Sequence, residues 1–141
     1  MKKYIIITVV IIIIIGLIYR QSYISITGIK VQKNDLKDVI INTTTDERYM
    51  VTDSKIVFEL SNEISKMERY TKVEPLNYPP SKNGYSKFLR VVISTKHGNI
   101  GGSFWDLGNN IVLESNGYYW FTTNNLFDLM DKSLENAKKL N

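Results

Sequence analysis

Apolar and polar positions alternate along this chain in three different rhythms. The first is no rhythm at all. From Tyr4 to Tyr19 run 16 residues without a charge and with one polar side chain, Thr8; eight of the eleven residues from Ile5 to Ile15 are isoleucine. As a helix this run is about 24 Å long, and with snorkelling ends it approaches the roughly 30 Å of a bilayer core. Residues 23–32, "YISITGIKVQ", then place Ile24 and Ile26 in one phase and Ile29 and Val31 in the other, with Gly28 between them. That pattern predicts one strand with a bulge at the glycine. "KDVIINTTT" and "ERYMVT" predict two short extended segments. Over 54–68 the period lengthens: Ile56, Leu60, Ile64 and Met67 recur at helical spacing behind Asp53, a good N-cap.

All three prolines fall within 73–84, which predicts an irregular connector or recognition loop. Tyr85 to Phe121 then reads as a four-stranded antiparallel meander broken at "KHGN", "GNN" and "NG". Asn116-Gly117 is a strong signal for a two-residue hairpin turn. A last helix is predicted from a Thr122 or Thr123 cap to about Lys139, with Leu126, Met130, Leu134 and Ala137 on one face.

Two-residue loops pair His97 with Ile100, Gly108 with Ile111 and Ser115 with Tyr118. Trp105 then faces Glu114, and Leu113 faces Trp120. One sheet face collects Leu89, Val91, Ile93, Phe104, Ile111, Leu113, Tyr118 and Trp120, a core for two helices. The other collects Val92, Trp105, Leu107, Val112, Tyr119 and Phe121 with Arg90 and Glu114. A sheet covered on one side usually keeps its other face polar. The expectation is therefore a partner-binding face made by Trp105, Leu107, Tyr119, Phe121 and Val92, unless N-terminal strands fold over it. The predicted fold class is α+β: an N-terminal transmembrane helix, then an antiparallel sheet of the meander plus the N-terminal strand, with two helices on one face.

The order of these elements resembles a group of small domains of unknown function, exported or lipid-anchored in Gram-positive bacteria, the YhfM-like group. The resemblance spans residues 24–135 and rests on "VVISTKHG", on Trp105 in "GGSFWDL", and on Gly117-Tyr118-Tyr119 leading to "NNLFDLM". Members usually carry a lipobox cysteine, whereas this chain has no cysteine at all. The resemblance implies a fold and an address, and no activity.

Charge sharpens the address. Lys2 and Lys3 precede the apolar run and Arg20 follows it, and no A-x-A cleavage pattern is present. Residues 1–22 are thus expected to be an uncleaved signal anchor with a cytoplasmic N-terminus, and 23–141 one exported domain. The membrane is the expected partner of residues 4–19. Of the net charge of +4, those three residues supply three, leaving 15 basic against 14 acidic side chains beyond residue 20. With no clustered basic face, nucleic acid is not an expected partner. Chemistry is equally sparse. One histidine, His97, and no cysteine leave a zinc site short of ligands. Ser94 near His97 lacks triad geometry, and Gly101-Gly102 opens no helix that could cradle phosphate. No cofactor, metal or catalytic residue is expected. The sequence reading is a non-catalytic, membrane-anchored extracytoplasmic module that binds a protein or the cell wall. The alternative is an immunity or superinfection-exclusion factor guarding the envelope.

Overall fold

The computed structural model describes residues 2–73, 87–108, 110–122 and 125–140, without the side chains of 2, 3 and 20. Most of the proline-containing loop and residue 123 lie outside the described residues. Helix α1, Lys2–Gln21, carries the apolar run, and its isoleucines stand exposed all along it. Among the described residues no helix is long and apolar enough to cross a membrane. The expected single-pass transmembrane helix is corrected on that ground: the uncharged run of about 24 Å falls short of a core of roughly 30 Å.

The packed part begins where α1 ends. Strands β1 (Tyr23–Ile26) and β2 (Ile29–Gln32) form a two-stranded hairpin of their own. The single bulged strand is thereby also corrected. Thr27 (φ 47°) and Gly28 (φ 83°) both take the left-handed backbone that a tight two-residue turn requires. A β-branched residue rarely adopts that backbone, so "TG" is a weak turn signal. Here contacts with another hairpin turn support it: Asn116 Nδ2 donates to Thr27 O at 3.4 Å, and the Ser115 and Thr27 hydroxyls lie 3.3 Å apart.

A one-turn 3-10 helix, Lys33–Asp35, leads into the main sheet. Its strands are β3 (Leu36–Asn42), β4 (Arg48–Val51), β5 (Glu68–Lys72), β6 (Lys87–Thr95), β7 (Gly98–Asp106), β8 (Ile111–Ser115), β9 (Tyr118–Thr122) and β10 (Lys138–Leu140). Their spatial order is β10-β4-β3-β6-β7-β8-β9-β5, with every pairing antiparallel. Helix α2 (Ser54–Ser65) begins at Asp53, whose carboxylate accepts from the amides of Lys55 and Ile56 at 2.9 and 3.0 Å. Asp53→Ala should cost about 1 kcal/mol in a urea melt of the full chain in non-ionic detergent. A loss below measurement error would mean that the cap is redundant.

Helix α3 is shorter than expected, Leu126–Leu134, and the chain then turns into β10 on the edge of β4. Ala137 continues the apolar spacing, but Lys138–Leu140 can complete a sheet edge, and the backbone hydrogen bonds of β4 favour that. Lys139 is also salt-bridged to Glu47. The hydrogen bonds from Lys139 and then Tyr49 hold the Glu47 carboxyl below its ordinary pKa.

Helices α2 and α3 share one side of the sheet with the β1–β2 hairpin. Ile26, Val39, Ile41, Leu60, Ile93, Phe104, Leu113 and Met130 lie at the centre of that core. The meander is as expected in its strands and faces but not in two of its registers. Thr95 pairs with Gly98, so the β6–β7 turn is Lys96-His97, and Ile93 faces Ile100. Asp106 pairs with Ile111, so Trp105 faces Val112 instead of Glu114. The β8–β9 register matches, with Leu113 opposite Trp120 across the Asn116-Gly117 turn.

Candidate functional site

The expected partner face divides into parts. Phe88, Trp105, Val112 and Phe121 occupy one cross-strand row over β6, β7, β8 and β9. Trp105 and Tyr119 are 1% and 0% exposed, and with Val112 they form a second, smaller core. Val73, Phe88, Leu107 and Phe121 pack around them, half-buried. Tyr70 lies stacked on Phe121 with ring centroids 5.0 Å apart, and Phe88 tilts onto Trp105 at 5.6 Å. Two rows away on the same face, Val92 sits between Ile40 and Gly101. Four residues of strand put it about 13 Å from the Trp105 row. Four of the five expected residues come together, and the two largest rings among them, Trp105 and Tyr119, are covered. Among the rings on that face it is Tyr70 that stands exposed, at 67%.

A larger concavity opens at the other end of the molecule, beside the foot of α1. Its volume is about 420 Å³. The β1–β2 hairpin supplies one wall with Tyr23, Ile29, Lys30 and Val31, and the β6–β7 turn supplies the other with Thr95, His97, Gly98 and Asn99. Asp35 closes the floor between them. Its carboxylate meets Lys96 Nζ at 3.2 Å and His97 Nε2 at 3.4 Å, and its carbonyl accepts from the Lys96 amide at 2.9 Å. Asp35 is 8% exposed, so this clamp gives a buried charge the partners it needs. His97 remains on the cleft's rim, its side chain 82% exposed.

The turn that carries His97 is built locally. Thr95 Oγ1 donates to Gly98 O at 2.7 Å and accepts from the His97 amide at 3.1 Å. Gly98, at φ 144°, takes a backbone that a side chain would strain. On the opposite wall Lys30 Nζ lies 4.7 Å from the ring centroids of both Tyr19 and Tyr23. The Tyr23 phenol is raised above its ordinary pKa, by its hydrogen bond with Tyr19 first of all. The cleft thus offers a cation over aromatic rings, an imidazole, a buried carboxylate and the exposed side chain of Ile29.

These groups can bind and orient a polar ligand. The imidazole has a carboxylate partner, and the two hydroxyls at the end of β6 are hydrogen-bonded, Thr95 to Gly98 O and Ser94 to Asp38 Oδ1 at 2.6 Å. Sequence reasoning placed His97 in a hairpin turn and left the cleft unseen. The signal that could have found it is the position of Asp35, an acidic residue between a hairpin and a strand, which has no periodic pattern to mark it. Set against known proteins, the chain matches no protein-family model, no curated protein and no solved structure.

Proposed function

We propose that this protein is a non-catalytic binding module attached to a lipid surface through residues 4–19, with its ligand site in the cleft between the β1–β2 hairpin and the β6–β7 turn. The cleft at the foot of α1 is the observation that carries this reading. Its polar groups converge from two walls on a concavity large enough for a small ligand or a peptide end. Attachment rests on the exposed apolar surface of α1, where Ile5, Ile12, Ile15 and Ile18 are each at least 60% exposed. A patch of that size and uniformity needs an apolar cover, and a lipid phase supplies one.

Two measurements test it. Full-length protein should float with neutral phosphatidylcholine vesicles. Ile11→Asp with Ile14→Asp should lower that partition by about 50-fold or more, since burying one isoleucine side chain away from water is worth about 1.5–3 kcal/mol. Protein that stays in the aqueous fraction would defeat the attachment. A small-molecule library followed by amide chemical shifts should move the β1–β2 and β6–β7 turns first, and His97→Ala should weaken the hits. Hits confined to other surfaces would remove the cleft from the proposal.

A further inference from the structure

The face of the sheet opposite the helices carries a polar row beside the buried aromatic one. Arg48 on β4 pairs with Asn42 on β3, and Asn42 pairs in turn with Arg90 on β6. Residues paired across adjacent strands project from the same face. Two guanidinium groups therefore flank one amide, their backbones two strand spacings, about 10 Å, apart. Both arginines are exposed. Among the described residues neither makes an ion pair.

These three side chains line a pocket of about 140 Å³ that Thr43, Asp46 and Phe88 complete. Asn42 is half-buried, and its Oδ1 is fully covered without a hydrogen-bond partner among the described residues. The covered oxygen can only accept, so it is through its NH2 group, which makes no hydrogen bond among the described residues, that the amide can meet an anion. Phe88 is held from behind by Trp105, which makes that wall of the pocket firm. The one carboxylate present, Asp46, sits in a turn with φ 58° and leaves a positive balance of one charge.

We propose that this pocket is an oxyanion-binding site, taking a carboxylate or phosphate group between the Arg48 and Arg90 guanidiniums and over the Asn42 amide. Guanidinium groups bind both oxyanions through paired N–H donors, and two of them converging on one pocket define the ligand class. The volume suits a single such group with a few waters, at about 30 Å³ for each water. The site lies on the opposite face from the helices and does not depend on the cleft or on lipid attachment.

The test uses the full chain in a non-ionic detergent, titrated with sodium phosphate in one arm and sodium acetate in the other. Sodium chloride at matched ionic strength is the control, and amide shifts are the readout. At least one oxyanion should give saturable shifts at Asn42, Arg48 and Arg90 that chloride does not. Arg48→Gln and Arg90→Gln should each weaken binding about tenfold or more, and Asp46→Asn should tighten it. The arm that saturates names the group. Arg48→Lys and Arg90→Lys keep the charge and lose the fork, so intermediate affinities support the site even if a glutamine variant folds poorly. Absence of a saturable response in both arms overturns the proposal. So does saturable binding that all four arginine variants leave unchanged.

Discussion

Trp105→Ala should lower the unfolding free energy by about 3–5 kcal/mol, the largest loss expected from any single truncation in the sheet. The indole is 1% exposed and sits at the centre of the second core, between Phe88 and Val112 in its own cross-strand row, with Tyr119 beside it. Removing it deletes the ring against which Phe88 rests and leaves a cavity that two neighbouring strands cannot close without breaking their ladders. Trp120 provides the comparison. Its ring is half-buried against the helix-side core, close to Gly28, and its Nε1 donates to Ser115 O at 3.0 Å. Trp120→Ala should therefore cost less than Trp105→Ala. Urea melts of the full chain in non-ionic detergent decide the order. A Trp105→Ala protein with parental stability would mean that the second core carries no packing energy and that its face is free for a partner after all.

That order reverses what the sequence alone suggests, and the reason lies in what a period of two can report. Alternation along β6 to β9 assigns each residue to a face correctly, because a register error of two or four residues leaves every side chain on its own side. Both observed register differences are of that kind: Trp105 meets Val112 instead of Glu114, and Ile93 meets Ile100 instead of Phe104. The helix-side core was therefore legible down to Leu89, Val91, Ile93, Phe104, Ile111 and Leu113. Which face is covered is not a property of the alternation. Among the described residues, Trp105 and Tyr119 are packed by one another, by Phe88 and Phe121 across the strands, and by Val73 just beyond β5, a strand of five exposed residues with no apolar period to announce it. β10 was hidden for a related reason, since Ala137 extends the spacing of α3 up to the edge of the strand. Of the cleft, only the β6–β7 turn was readable. Lys30 and Asp35 are near neighbours in the chain, but His97 comes from a distant segment and is brought beside them by the β3–β6 pairing that sets Leu36 opposite Thr95, while the hairpin wall rests on the unusual Thr27 backbone.

Gly102→Ala should be the most damaging conservative change in the protein, with a loss of about 3 kcal/mol or more. In most strands the substitution works the other way. Alanine restricts the unfolded chain and stabilises by about 0.4–1 kcal/mol where the native backbone accepts it. Gly102 is not among the residues with positive φ, so its backbone conformation does not demand glycine. The demand is spatial. A Cβ there would stand 2.1 Å from the Glu114 carbonyl oxygen and 2.5 Å from Leu113 Cδ1. The β7–β8 ladder ends one residue away at Ser103–Glu114, and there the β8 backbone closes down on β7. The leucine methyl can rotate aside, but the carbonyl belongs to a strand paired on its other side with β9. Relief therefore requires β8 to move by more than 1 Å, which loosens Leu113 and Val112, one from each core. Overpacking of this sort typically costs about 1–3 kcal/mol when side chains can yield and more when backbone must. Gly108→Ala is the control: it has open space at its Cβ position but a φ of 89°, so its cost is backbone strain alone, about 1 kcal/mol. Thermal melts of the two variants should differ widely, with Gly102→Ala much the lower. A Gly102→Ala protein as stable as the parent would mean that β8 has slack at Glu114, and that the two cores are not coupled through this strand.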